Sequence, residues 1–310
     1  MRKKPINTTT TKTKSTLLKV VEETDLMTFL LSKMGGMKRN SVKSMLSHRQ
    51  VLVNGTITTQ FNLGLKQGDK VEVVSSRGNI ELKHPKLRII FEDKDLIVIE
   101  KKEGLLTVIT NREDETTAFS ILKSYVRKSS PANRIYVVHR LDRDTSGMLM
   151  VAKSREIQLK LQENWHRVVT NRVYVAVVEG KIEKKQDTIV SWLSENEKSL
   201  KVHSMRHDDG GQKAVTHYKC LKYNEHYSLL ELHLDTGRKN QIRAHMESIG
   251  HSIVGDEKYG SKTNPLGRMA LHARILEFIH PVTLEKVRFE TAIPPAFTKI
   301  FNSQIPSGKP

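Results

Sequence analysis

The chain is a succession of short apolar runs rich in β-branched residues, divided by polar turns, with only a few helical periods among them. Leu87 to Phe91 and Leu96 to Ile99 flank the turn Glu92-Asp93-Lys94-Asp95, and Ile135 to Val138 precedes Met148 to Ala152. Asn171 to Gly180, Ala214 to Tyr223, Tyr227 to Leu234 and Val287 to Thr291 continue the pattern. Runs of this length, bounded by turn residues, predict strands. Helical spacing is predicted over Ala118 to Lys128, with Ile121, Leu122, Tyr125 and Val126 inward, and from a Ser154 cap to about His166. A third helix is predicted over Lys239 to Ile249, with Ile242, Met246 and Ile249 on one face. Strands and helices do not alternate as βαβ units. The fold class expected is therefore α+β, with a largely antiparallel mixed sheet.

A smaller unit precedes this one. Residues 1–15 are basic and Thr-rich and predict a disordered arm. Residues 16–76 read as a small α/β domain. Thr24 is placed to cap a helix carrying Leu26, Phe29, Leu30 and Met34, and Asn40 to cap a second with Val42, Met45 and Leu46 inward. Lys38, Arg39, Lys43 and Arg49 are left on or beside the outer face of that second helix. Asn54-Gly55 marks a hairpin turn, and Gly68 to Val73 a closing strand. Residues 77–86 predict a linker and residues 87–305 the large domain.

The formal net charge of +18 over 310 residues is the most selective figure in the composition. Self-repulsion of that size is tolerable beside a polyanion, which points to nucleic acid. No apolar run approaches the roughly 18–20 residues of a membrane-spanning helix, so a membrane partner is not expected. Cys220 is alone, which excludes a disulfide framework and a cysteine zinc site and fits a cytoplasmic protein.

Between the runs ending at Val138 and starting at Met148 lies a loop of charged, hydroxylic and glycine residues: His139, Arg140, Asp142, Arg143, Asp144, Thr145, Ser146 and Gly147, with Leu141 among them. Loops held between rigid strands carry function, although a solvated hairpin has a similar composition. His203, His207, Asp208 and Asp209 are near one another but in a polar segment, and no metal site is expected there.

"HRLDRDTSG" at 139–147 resembles the signature of the RluA-type pseudouridine synthases. "DKDLIVIEKKEGLLT" from Asp93, "RVYVAVVEG" from Arg172, "LDTGRKNQIRAHMESIGHSIVGDEKYG" from Leu234 and "ALHARILEFIHP" from Ala270 match further segments of that family in the same order, over residues 87 to 295. Two departures stand out: Lys102-Glu103 where the family has Pro-Ala or similar, and Asn240 where it has His. The basic helix before Ser47, "VLVNG" and "GDKVEV" similarly resemble the small S-four type RNA-binding domain over about sixty residues.

The resemblance implies an isomerase that converts uridine to pseudouridine in structured RNA; that reaction needs no metal or other cofactor, and a monomer is expected. Asp142 takes the place of the catalytic aspartate, Tyr174 of the tyrosine stacked on the uracil, and Arg243 of the basic partner of the aspartate. Arg140 matches the arginine that fills the gap left by a flipped base. Arg238, at the start of the predicted helix, and the basic face with Lys38, Arg39, Lys43 and Arg49 are expected to bind RNA phosphate. An arginine close to Asp142 is expected to lower its pKa. Asp144 is expected to fix the loop and His139 to form structural hydrogen bonds. The bland reading of Tyr174 is a core tyrosine, and that of the basic helix a solvated face. Large-subunit ribosomal RNA is the preferred substrate, with transfer RNA an alternative. A non-catalytic RNA-binding assembly factor and a hydrolase using Asp142 with Asp144 are the competing functions.

Overall fold

The computed structural model describes residues 15–47, 50–74, 82–109, 115–208 and 210–302. Arg49, Asp209 and all of the predicted basic arm except Ser15 fall outside them, as do residues 77–81 of the predicted linker. The chain divides into two compact units, Met1–Glu81 with Lys123–Asn133, and Leu82–Leu122 with Arg134–Pro310. The division falls within the helix Ala118–Ser129, which the sequence pattern assigns wholly to the larger domain.

In the first unit, β1 (Ser15–Lys19) is followed by β2 (Thr24–Asp25), α1 (Leu26–Lys33), α2 (Arg39–Ser47), β3 (Val51–Val53), β4 (Thr56–Ile57), β5 (Gly64–Leu65) and β6 (Lys70–Val74). An antiparallel sheet in the order β1-β6-β3-β4 and the β2–β5 pair surround a core of Leu26, Phe29, Leu30, Val42, Leu46 and Val71. Asn54 and Gly55 both have positive φ, 50° and 80°, as a two-residue hairpin turn requires. The N-cap of α1 is Asp25, not Thr24: its carboxylate accepts from Thr28 N at 3.0 Å. Helix α2 already begins at Arg39, so Asn40 lies inside it. Its buried face is Val42 and Leu46, which leaves Lys38, Arg39 and Lys43 exposed.

The second unit is built on a large sheet. Its strands are β7 (Leu87–Glu92), β8 (Leu96–Lys101), β9 (Tyr136–Val137), β10 (Ser146–Ala152), β11 (Val169–Glu179), β12 (Gln186–Glu195), β13 (Val202–Met205), β14 (Gln212–Tyr223), β15 (Tyr227–Leu234), β16 (Leu271–Ile279) and β17 (Lys286–Glu290). Helix α3 (Ala118–Ser129) follows β8, α4 (Arg155–Glu163) and α5 (Trp165–Val168) follow β10, α6 (Gln241–Ser248) follows β15, and α7 (Pro295–Lys299) closes the chain. The order is β13-β12-β14-β15-β11-β16-β10-β8-β7, with β9 beside β10 and β17 beside β16. Every pairing is antiparallel except β10 with β16, so the expected α+β, largely antiparallel architecture is the one found. Strand β10 is buried along its whole length, and Leu96 to Ile99 of β8 have no solvent exposure, so both faces of the sheet are covered there. Each buried Leu, Ile, Val or Met side chain among them contributes roughly 1.5–3 kcal/mol by burial. Strands β12 and β13 go unrecognised in the sequence, because Gln186–Glu195 mixes Ser, Thr and acidic residues with its apolar ones.

The loop between β9 and β10 is fixed from three sides. Thr107 Oγ1 donates to Leu141 O at 2.7 Å and accepts from Leu141 N at 3.2 Å. Lys101, fully buried at the end of β8, donates from Nζ to the carbonyls of Lys102 (3.1 Å), Leu105 (2.8 Å) and Arg143 (3.0 Å). Asp142 lies between the two anchored residues. At the far end Gly147, with φ 118°, pairs with Ala273 of β16, and a Cβ there would sit 2.1 Å from Ala273 O. Only glycine allows that approach. Thr145 leads into the strand that starts at Ser146, and its N closes onto Asp142 O at 3.3 Å.

Gly147→Ala is expected to lower unfolding free energy by about 1–3 kcal/mol or more, because the clash is with backbone; denaturant melts with wild-type midpoint would refute this close approach. Burial pushes the Lys101 ammonium down to about 8 from its ordinary 10.5, against the pull of Asp144, Asp142 and Glu103. Between those two values the unfolded chain binds the extra proton, so this lysine makes stability rise with pH there. The stability advantage of the wild type over Lys101→Met should accordingly widen from pH 8 to 10.5. A constant difference across that window would show that Lys101 does not titrate as its burial requires.

Candidate active site

A cavity of about 810 Å³ opens beside the β9–β10 loop, against the middle of β11 where Tyr174 lies. Asp142, Tyr174, Arg243, Arg140 and Arg238 all line it, although they are spread over a hundred residues of chain. The tertiary fold thus brings together each of the sequence-predicted residues of the second unit. Lys38, Arg39 and Lys43 belong to the first unit and are exposed on it. His203, His207 and Asp208 are exposed and are not among the residues lining this cavity.

Arg243 projects from the first turn of α6. Its Nε and Nη2 donate to the two carboxylate oxygens of buried Asp256, at 2.6 and 2.7 Å, and its guanidinium lies 4.5 Å from the ring centroid of Tyr259. Its third nitrogen, Nη1, donates to Asn240 Oδ1 at 3.2 Å and stands 3.7 Å from Asp142 Oδ2. The arginine is therefore shared: the bidentate bond goes to Asp256, and Asp142 meets only the remaining edge. Asp256 carries no signal of its own in the sequence beyond its place in the Leu234-to-Gly260 segment.

Asn240 occupies the left-handed region, with φ 51° and ψ 21°. Asparagine and histidine are both tolerant of that conformation, which accounts for the departure from His at this position. The helix after it starts at Gln241, two residues later than the predicted Lys239.

The expected lowering of the Asp142 pKa is not what the surroundings produce. Burial in the cleft is the largest influence and pushes the carboxyl above its ordinary value of 3.8; Arg243, then Arg140, pull it down, and Asp256 opposes them. The side chain keeps 40% of its surface open to the cavity. One side is reachable, while protein on the others displaces the water that would solvate the charge. The sequence shows the arginines but not this desolvation.

Tyr174 is half-buried on β11, and burial raises its hydroxyl above the ordinary value, with Arg172 lowering it and Asp142 adding to the rise. It is a neutral phenol at neutral pH. His139 accepts from Met150 N at 3.0 Å and lies 5.1 Å, centroid to centroid, from Trp165. Burial and then Arg172 push its imidazole down to about 3, so it is neutral and structural. Asp144 is exposed, away from the wall that Asp142 occupies. Arg172, Trp165 and Gln162 line the cavity without having been singled out in the sequence. For Arg172 a signal existed: it is two residues from Tyr174 on one strand, hence on the same face.

Among the described residues, Asp93, Asp95 and His280 are close enough together to meet one metal ion. Both ring nitrogens of His280 are committed, however. Nε2 faces Asp93 Oδ2 at 2.9 Å, and Nδ1 accepts from Val282 N and Thr283 N at 3.3 and 3.1 Å. The group ties two turns together and is not a ligand set.

A family model described as RNA pseudouridylate synthase matches residues 95–248. The chain is 34% identical over 260 residues to the uncharacterized RNA pseudouridine synthase YhcT of Bacillus subtilis, spanning 82% of this chain and 84% of the relative. It is 30% identical over 275 residues to the ribosomal large subunit pseudouridine synthase D of Escherichia coli K12, spanning 83% of each. Among solved structures, human RNA Pseudouridylate Synthase Domain Containing 1 matches with a TM-score of 0.53 and 26% identity, over 70% of this chain and 86% of that one. The chain belongs to the RNA pseudouridine synthase family, and its activity is the isomerisation of uridine to pseudouridine in RNA.

Proposed function

We propose that Asp142 is the carboxylate that acts at the target uridine, that Tyr174 stacks on its uracil, and that Arg243 steadies the aspartate's charge. The convergence of Asp142, Tyr174, Arg243 and Arg140 on one cavity supports this reading most directly. The reaction breaks a glycosidic bond and re-forms a carbon–carbon bond between the same two rings, so it is neutral in mass and in redox state and calls for no cofactor. A uridine in structured RNA must leave its stack at a cost of a few kcal/mol. An aromatic face gives back about 1–3 kcal/mol per base, and exposed Arg140 is placed to occupy the gap. The neutral Tyr174 suits stacking, because no charge has to be desolvated with the base.

The substrate is, in this reading, ribosomal RNA of the large subunit, as the name of the Escherichia coli relative states for that protein. In this reading the enzyme acts in the cytoplasm as a monomer. Residues 16–76 serve as an S-four type RNA-binding domain, residues 87–305 as the catalytic domain. Arg39 and Lys43 on α2 and Lys38 just before it, with Arg49 beyond the described residues, meet the phosphate backbone, and Arg238 does so at the cavity, where its Nε already donates to Lys213 O at 3.2 Å.

Asp142→Asn should abolish pseudouridine formation in purified protein while leaving RNA affinity within a few-fold. Retained conversion would assign the chemistry elsewhere, and free uracil would favour the hydrolase. If ionised Asp142 is required, single-turnover rate falls as pH drops through its raised pKa, so the acid limb lies above pH 3.8. Replacing Lys38, Arg39 and Lys43 together by Ala should flatten the dependence of log affinity on log salt by about 0.7–0.9 for each phosphate no longer neutralised; an unchanged slope would leave α2 as a merely solvated face.

A further inference from the structure

Arg172 and Arg243 face the same cavity and are held in opposite ways. Arg243 has a buried carboxylate as its partner. Arg172 has none: among the described residues no carboxylate lies within ion-pair distance of it. Its Nη2 donates only to the carbonyls of Leu234 and Asp235, at 3.3 and 3.4 Å. Burial lowers its pKa, and Tyr174 and Asp235 oppose that lowering.

The seat is nonetheless built. The guanidinium carbon lies 5.8 Å from the centroid of Trp165, within range of a cation–π contact. On another side, a Cβ at position 237 would stand 2.3 Å from Arg172 Nη1, so Gly237 makes room for it. A planar cation fixed by a tryptophan, a glycine and two carbonyls, partly desolvated and without a counter-ion, is a costly arrangement unless an anion completes it. The guanidinium fork matches a phosphate in shape and charge. Arg172 stands two residues from Tyr174 on the same face of β11, about 7 Å along the strand. That is a distance of the order of one nucleotide from the uracil site.

We propose that Arg172, seated between Trp165 and Gly237, binds the phosphodiester adjoining the target uridine. The position "adjoining" rests on the reading of Asp142 and Tyr174 given above; the phosphate site itself does not. It requires that binding at Arg172 be felt by Trp165, that it depend on the charge, and that it depend on the seat.

The test uses the full chain in a Trp192→Phe background, which leaves Trp165 as the single tryptophan, and hexauridylate as the probe. Titration should change Trp165 emission. Arg172→Gln should weaken hexauridylate binding roughly tenfold or more and reduce the salt slope by about 0.7. Gly237→Ala keeps every charge but fills the seat, and should weaken binding to a similar degree, with melting temperatures measured for both. Unchanged affinity and slope in Arg172→Gln would overturn the proposal, and so would a Gly237→Ala protein that folds and binds as the wild type does. Because binding is read without turnover, Asp142→Asn should bind hexauridylate normally. Failure of the Asp142 reading would then appear as retained conversion, and failure of this one as retained affinity.

Discussion

Withdrawing the ammonium of Lys101 from water is unfavourable, and three carbonyl acceptors with nearby carboxylates are what offset it. One of those carbonyls, Arg143 O, belongs to the residue after Asp142, so the lysine's requirement for partners becomes a constraint on the loop. Thr107 grips the residue before Asp142, and Gly147 brings the end of the loop against β16. In the proposed role Asp142 meets a ribose or a base within hydrogen-bond reach and needs such restraint, since a displacement of 1 Å can cost on the order of 10²-fold in rate. The rest of the site is arranged around that fixed point.

Around it the charges are graded by how they are paired. Arg243 is committed to Asp256 and offers Asp142 a single edge, at 3.7 Å. Asp142 therefore sits between an attraction that favours its ionised form and a burial that opposes it, and burial prevails. Arg140 and Arg238 line the cavity but remain exposed, where solvent keeps their charges inexpensive to maintain. Arg172 is the exception, desolvated without a carboxylate. The departure at Lys102-Glu103 also finds a physical role. Glu103 forms an ion pair with Arg268, whose Nη2 donates to Ser146 Oγ at 2.8 Å. From Ser146 the chain of hydrogen bonds runs to His272 and Thr291, each at 2.8 Å. A charged pair thus stiffens the turn that a proline would otherwise restrict.

Much of this was legible in the amino-acid order. Short β-branched runs without βαβ rhythm determine an antiparallel α+β fold, because side-chain alternation and turn residues act locally. The loop at 139–147 is legible for the same reason, as is the Asn54-Gly55 hairpin, where two adjacent positive φ angles require those residue types. Helix limits were less so: Asp25 rather than Thr24 caps α1, since either oxygen can reach the free amides and the tertiary setting selects one. Strands β12 and β13 were missed because an edge region carries too few apolar residues to announce itself.

The sequence by itself determined which residue types are at hand: an aspartate in a polar loop, a tyrosine on a strand, arginines at the head of a helix. Only the tertiary structure decided how their energies combine. Asp256 claims most of Arg243, Lys101 disappears beneath the loop, and Asp142 is raised where neighbouring arginines alone would lower it. The physical reason is that Coulomb attraction can be anticipated from which charges are present. Desolvation depends on which atoms from distant parts of the chain displace the water, and that is a property of the fold.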